Sequence, residues 1–399
     1  MIEFFNMGNK NMKIGIMTFW WSNDNYGQIL QCYALQTALK KMGHTPYLIR
    51  YFPQKDDIAY YNKENACGFI GKVRKNLGKI KRFLTFYKEK NDNNNEIVID
   101  RKFDEFRKNF ITQNKTNFKS FKEMQRYNFS SYNAFICGSD QVWSMRFWGD
   151  STKAYHLCFV SDKYIKLAYA ASFGGQLPFP DTLDERKRAL SSFAGIGVRE
   201  KEGVDICKQW GNNAVLVCDP ALLCTKEDYY PIIEKFDNKS NEKYALCYII
   251  GWETNFHIDD IRKYCKEKNL NIRFVFSQNL GNIDIPCNEK ELEYLSVEEW
   301  MNAYKNSDII FTNSFHGTAF AIIFEKNFVT FPIIGEMAAL NDRIKTLLTE
   351  IELEDRMLDA ETRDFNTVVD NSINWDAKRE KIEIYRKNSR DWLKNCLLK

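Results

Sequence analysis

Residues 308–327 read DIIFTNSFHGTAFAIIFEKN. A short apolar run of strand character, DIIF, is followed by a polar hinge and then by AFAIIFEKN, a run of helical length. Asn313 and Ser314 in the hinge are residue types that cap helices, so the strand is expected to pass directly into a helix. That is the β-to-α step of a parallel sheet, and it carries one of only four histidines, His316. Beyond the carboxyl ends of such strands, helix N-termini offer unpaired N–H groups to ligands. His316 there, with the amides of Gly317 and Thr318 directed outward, would hold an anion and offer it a proton. The competing reading is a satisfied core histidine.

The same alternation extends outward. KIGIMTFW (13–20) precedes ILQCYALQTALKKMG (29–43), whose Ile29, Leu30, Tyr33, Leu35, Ala38, Leu39 and Met42 lie largely on one helical face ending at Gly43. PYLIRY (46–51) completes a β-α-β unit. Further strand candidates are NAFICG (133–138), KLAYAAS (166–172), GIGVR (195–199), AVLVCD (214–219), YALCYIIG (244–251), IRFVFS (272–277) and NFVTFP (327–332). Helical patterns separate most of them, so the expected class is α/β with a parallel sheet in each half.

A length of 399 residues suits two domains, and two domains imply a cleft. The expected division is an N-terminal domain over 12–225, a C-terminal domain over 226–370, and a charged helix over 371–399 that crosses back. An Asn- and Lys-rich insertion at 53–100 interrupts the first domain, and inside it Ile70, Val73, Leu77, Ile80, Leu84 and Tyr87 oppose Lys72, Lys75, Lys79 and Arg82. This is a basic amphipathic helix, read first as a solvated helix packed on the domain and second as a peripheral contact with the inner face of a membrane.

Lys and Arg number 57 against 53 Asp and Glu, too balanced a charge for nucleic acid to be the expected partner. Eleven cysteines without a CxxC pair argue for reduced, buried thiols in a cytoplasm, and no zinc or other metal site is expected. The N-terminus has no signal-peptide pattern, residues 1–11 read as a dispensable leader, and no apolar stretch approaches the roughly 18 residues a membrane span requires.

Three more segments fall at strand ends. SNDNYGQ (22–28) offers Asn25, Tyr26 and Gln28 as neutral groups suited to a sugar, with a capped turn as the alternative. CGSDQVW (137–143) places Asp140 beside Trp143, which reads either as a helix cap or as a carbohydrate contact with an aromatic face. GVREKEG (197–203) sets Arg199 at the end of a strand, where it can grip a carboxylate or phosphate, or else pair with Glu202 at the surface.

With NYGQILQCYAL, GSDQVW, YAASFG (169–174), VREKEG, DPALL (219–223) and SFHGTAFAIIF, the chain resembles the polysaccharide pyruvyl transferase family from Met12 to about Arg343. The resemblance implies a GT-B-like fold, two Rossmann-like domains facing across a cleft. It also implies transfer of pyruvate from phosphoenolpyruvate, as a cyclic ketal, to a sugar of a cell-surface polysaccharide or its lipid-linked precursor, without a cofactor. His316 matches the family's histidine and would act as acid and base. Arg199, Ser314, Gly317 and Thr318 would hold the donor, and Asn25, Tyr26, Gln28 and Asp140 the acceptor.

Two positions depart from the family's pattern. Ser314 stands where characterised members usually have an arginine, and Gln28 stands where an acidic residue is common. Asp219 could supply the missing carboxylate or only cap a turn, and Arg343, Lys326 or Lys201 could supply the missing cation. A GT-B glycosyltransferase with another donor, and a non-catalytic carbohydrate-binding protein of the same pathway, are the competing functional readings.

Overall fold

The computed structural model describes residues 11–20, 25–52, 100–144, 149–175, 180–234, 242–251, 254, 256–277, 291–358 and 364–398. Seven strands form the first sheet: β1 (Lys13–Met17), β2 (Thr45–Tyr51), β3 (Gln113–Phe118), β4 (Ala134–Cys137), β5 (Ile165–Ala171), β6 (Gly195–Val198) and β7 (Val215–Leu216). Their order is β3-β2-β1-β4-β5-β6-β7, and every pairing is parallel. The second sheet holds β8 (Tyr244–Ile249), β9 (Asn271–Phe276), β10 (Leu292–Glu293), β11 (Ile309–Thr312) and β12 (Asn327–Thr330). Its order, β10-β9-β8-β11-β12, repeats the same doubly wound plan, again all parallel.

Each sheet therefore reverses its winding once, between β1 and β4 in the first and between β8 and β11 in the second, and such switch points open a crevice for ligands. Each is the sheet of a Rossmann-like unit, and the two units meet where His316 of one approaches Asp219 of the other. Five helices set the site: α1 (Tyr26–Lys41), α2 (Pro220–Leu223), α3 (Phe315–Ile323), α4 (Asn341–Glu350) and α5 (Trp375–Leu397). The chain passes from one sheet to the other between Leu216 and Tyr244.

Strands β1, β4, β5, β8 and β11 are buried along almost their whole length, which explains their unbroken apolar sequences. Edge strand β3 is different. Its sequence, QNKTNF, alternates buried and exposed positions and contains no apolar run that would mark it as a strand. Helix α1 is more enclosed than a single apolar face implies, because Gln31, Cys32, Ala34 and Gln36 are buried as well. The helix ends as its sequence demands, Gly43 taking a left-handed φ of 88° that a glycine adopts without strain.

Helix α5 binds the end of the chain to the first domain. Arg386 donates from Nε to the Leu222 carbonyl at 2.6 Å, and the Cys218 amide donates to Ser389 Oγ at 2.9 Å. Its N-terminal part reaches the second domain, where Arg379 pairs with Glu325 at 2.7 Å. Most of the basic insertion, residues 53–99, and the leader up to residue 10 lie outside the described residues. Among the described residues, no helix is long and apolar enough to cross a membrane.

The close approach of α5 to β6 gives a test. A Cβ added at Gly195 would stand 2.6 Å from Cys396 Sγ and 3.2 Å from Trp392. Gly195→Ala is expected to destabilise the protein by about 1–3 kcal/mol through overpacking, read as a lower urea midpoint.

Candidate active site

The loops after β4, β6 and β7 converge on one buried carboxylate. Asp219 follows β7 and caps α2, its Oδ1 accepting from the Ala221 amide at 3.0 Å. Its Oδ2 accepts from Ser139 Oγ at 2.7 Å and from Arg199 Nη1 at 3.0 Å. Arg199, directly after β6, is buried, and its Nη2 stands 3.7 Å from Asp140 Oδ1. Asp140 follows β4 with a φ of 83°, a conformation that costs a residue with a side chain about 1–3 kcal/mol. The Gln141 amide, donating to Asp140 Oδ1 at 2.9 Å, and the Ser172 amide, donating to its carbonyl at 3.0 Å, hold it there.

His316 approaches the same carboxylate from the other domain. It lies in the first turn of α3, its Nε2 3.7 Å from Asp219 Oδ2 and without a hydrogen-bond partner. The first turn of α1 covers the other side of the ring, so closely that a Cβ on Gly27 would fall 2.1 Å from His316 Nδ1. The structure thus brings together Arg199 and His316, on one carboxylate that belongs to neither of their motifs.

The protonation states follow from these surroundings. Burial lowers the His316 pKa, the charges of Arg199 and Arg343 lower it further, and Asp219 and Asp140 only partly oppose them. Burial would raise Asp219, but the charges of His316 and Arg199 and the hydrogen bonds from Ala221 and Ser139 outweigh it and hold the carboxyl below its usual range. Arg199 and the hydrogen bonds from Ala221 and Ser139 favour the ionised carboxylate. Burial thus favours the neutral imidazole, and the donors around Asp219 favour the ionised carboxylate.

Other residues singled out from the sequence occupy different positions. Ser314 caps α3, its Oγ accepting from the Gly317 amide at 3.2 Å, while its carbonyl accepts from the Thr318 amide at 2.9 Å. Both amides expected to face an anion are therefore already bonded within the helix. Thr318 Oγ1 meets Thr330 Oγ1 at 2.8 Å inside the domain, and a Cβ on Gly317 would strike Thr312 Oγ1 at 2.3 Å, so neither residue opens onto the cleft.

Tyr26 is a structural pin. Its hydroxyl donates to the Leu295 carbonyl at 2.6 Å, and its ring stacks on Trp300 at 5.0 Å between centroids. Asn25 caps α1 by accepting from the Gln28 amide at 3.2 Å, the turn-capping alternative for that segment. Gln28 itself is half-buried, with Oε1 unpaired. Trp143 cannot serve as an exposed sugar platform, being buried with its indole N–H directed to the Tyr155 carbonyl at 3.3 Å. Asp140 stands beside Arg199 instead. Among the described residues, no group of three or more His, Cys, Asp or Glu side chains could hold a metal ion.

Asp219 and Ser139 are the members of this cluster to which sequence reading gave no settled role. The signal for Asp219 was its place before Pro220, where a cap and a buried ion pair look alike. For Ser139 it was the adjacency to Asp140.

The family model for polysaccharide pyruvyl transferase matches residues 25–333, which include Ser139, Asp140, Arg199, Asp219 and His316. The chain belongs to the polysaccharide pyruvyl transferase family. No curated protein gives a significant match. Among solved structures, UDP-GlcNAc 2-epimerase from Methanocaldococcus jannaschii is 10% identical over 95% of this chain and 94% of its own, with a TM-score of 0.49. The UDP-N-acetylglucosamine 2-epimerase from Rickettsia bellii is 11% identical over 97% of both chains, with a TM-score of 0.48. An alpha-glucosyltransferase in complex with UDP and DNA is 10% identical over 97% of this chain and 95% of its own, with a TM-score of 0.45. No substrate or activity is carried over from these likenesses.

The lowered pKa of His316 has a consequence for stability. The unfolded chain takes up this proton as pH falls through about 6.5, while the folded site resists it, so stability drains on acidification below that value. Replacing the ring removes this contribution. Between pH of about 7.5 and about 5.5, wild type should lose more of its urea midpoint than His316→Asn.

Proposed function

We propose that this transferase moves pyruvate from phosphoenolpyruvate onto two hydroxyls of a sugar in a cell-surface polysaccharide or its lipid-linked precursor. The observation that supports this reading best is His316 Nε2, without a hydrogen-bond partner, 3.7 Å from the Asp219 carboxylate, with a guanidinium on the same carboxylate.

Ketal formation needs a group that both takes and gives protons. His316 accepts the proton of the first sugar hydroxyl as its oxygen bonds to the central carbon of the enol, and the methylene carbon receives a proton to become a methyl group. Asp219 stabilises the imidazolium while it lasts. The carbon–oxygen bond to phosphate then breaks, the second hydroxyl closes the ring, and its proton leaves with the phosphate. Of the two hydroxyl protons, one ends on the methyl carbon and one on the phosphate. An imidazole can both accept and donate a proton, as such a relay requires, and a positioned acid–base group contributes typically 100- to 10,000-fold.

Arg199, already held by Asp219, would fix that carboxylate and lend positive charge to the departing phosphate. Asp140, Asn25 and Gln28 remain candidates for contact with the acceptor. Contact with a membrane surface, where a lipid-linked acceptor would be met, would fall to the basic insertion.

Two measurements test the reading. Phosphoenolpyruvate at 100 times its dissociation constant should stabilise the wild type by about 2.7 kcal/mol, whereas a nucleotide sugar that stabilises in its place would favour a glycosyltransferase. His316→Ala should lower phosphate release in the presence of acceptor by roughly 100-fold or more and leave the stabilisation by phosphoenolpyruvate largely intact. Unchanged turnover in that variant would remove His316 from the chemistry.

A further inference from the structure

The cluster contains a second guanidinium for which the ion pairs do not account. Arg343, in the first turn of α4, is 6% exposed. Among the described residues its one hydrogen bond runs from Nε to the Leu340 carbonyl at 3.2 Å, and no carboxylate lies within 4 Å of it. Arg199 differs in being ion-paired, its Nη1 tied to Asp219 at 3.0 Å and its Nη2 3.7 Å from Asp140, although Nε and Nη2 have no hydrogen bond.

The two arginines address one ring. Arg199 Cζ stands 4.5 Å and Arg343 Cζ 6.0 Å from the centre of Phe315, the residue before His316. Burial and the charge of Arg199 push the Arg343 pKa down to about 10, with Asp140, Glu200 and Asp219 pulling the other way. A buried cation that repels its neighbour and has no ion pair is costly to keep, and such a charge ordinarily awaits a partner. The other two candidates for an extra cation lie elsewhere. Lys201 pairs with Glu350 at 3.4 Å in a largely exposed position, and Lys326 has Asp308, Lys226 and Lys305 as its charged neighbours.

We propose that Arg343 is the primary anion-binding residue of this site, receiving an anionic group of a small phosphorylated carboxylate, while Arg199 is chiefly a positioning residue for Asp219. This rests on the phosphoenolpyruvate reading above for the identity of the ligand, though not for its charge. The helix terminus at α3 cannot take the role, since its Gly317 and Thr318 amides are bonded to Ser314. The cation comes instead from α4.

The test uses the full chain as wild type, Arg343→Met and Arg343→Lys, with thermal unfolding and calorimetric titration of phosphoenolpyruvate and, separately, inorganic phosphate. Removing an unpaired buried charge should leave the melting temperature of unliganded Arg343→Met unchanged or raise it. Its affinity for phosphoenolpyruvate should fall by about 10- to 100-fold, the worth of a charged hydrogen bond. Arg343→Lys should lie between, because it keeps the charge and loses the fork. In turnover, the KM for the donor should rise more than kcat falls.

A lower melting temperature with wild-type affinity in Arg343→Met would overturn the assignment and make Arg343 structural. Should Arg343→Met fail to fold, wild-type affinity in Arg343→Lys would overturn the fork. Wild type that binds phosphate but not phosphoenolpyruvate, with phosphate binding lost in Arg343→Met, would sink the donor reading and sustain the anion site. Wild type that binds neither would overturn both.

Discussion

Asp219 is a carboxylate without solvent contact that accepts from three donors of the first domain and faces the imidazole of the second. The arrangement depends on that ion pair being complete. Taking a carboxylate out of water is repaid only when its oxygens are matched, and removing one partner of a buried pair costs about 3–5 kcal/mol because the other charge is stranded. Asp219 is matched by a backbone amide, a hydroxyl and a guanidinium, drawn from the loops after β7, β4 and β6. One charge therefore fixes three loops at the carboxyl edge of the first sheet. The strained backbone of Asp140 becomes affordable in that frame, since its carboxylate adds a second, looser contact to the same arginine.

The second domain meets this frame through packing more than through hydrogen bonds. His316 has no bond at Nε2, and its orientation is set by the backbone of α1 lying against the ring at Gly27. Tyr26, one residue earlier, joins α1 to the second domain through the Leu295 carbonyl and the face of Trp300. Arg101 supports the same junction by donating to the Phe276 carbonyl at 3.0 Å and to the Tyr26 hydroxyl at 3.3 Å. Gly175 presses on Ala339, where a Cβ would come within 2.6 Å. A ring positioned by contact keeps its nitrogen unbonded for a substrate, whereas a ring fixed by a hydrogen bond at that atom would have to break it first.

The fold was legible because buried parallel strands leave unbroken apolar runs. KIGIM, AFIC, YALCYI and IIFT announce themselves, and the cap at Ser314 marks the handover to α3. Edge strands β3 and β10 were not legible, because QNKTNF buries only part of one face and Leu292–Glu293 is two residues long. The site was legible in its types and less so in its contacts. His316 and Arg199 stood out at strand ends, but a sequence does not show whether a helix-terminal amide is free, and here the cap that identified the helix consumes the Gly317 amide. Tyr26 and Trp143 looked like sugar-binding aromatics for the same reason that they are good pins, a large apolar face with one polar atom. Burial separates those two uses, and burial is set by residues far away in the chain.

Charge balance carries the last step. Arg199 and Arg343 share their surroundings with three buried carboxylates, Asp219, Asp140 and Glu200. Burial pushes Glu200 above its usual value against the pull of Arg199 and Arg343, while Asp219 is fully engaged. Arg199 spends Nη1 on the carboxylate that faces His316 and keeps Nε and Nη2 without hydrogen-bond partners, beside carboxylates that already offset its charge. Binding an anion through Nη1 of Arg199 would release Asp219 from that contact, whereas binding it at Arg343 leaves the contact intact. The proposed division of tasks rests on a contrast between two guanidiniums, Arg199 paired with Asp219 at 3.0 Å and Arg343 with no ion pair among the described residues.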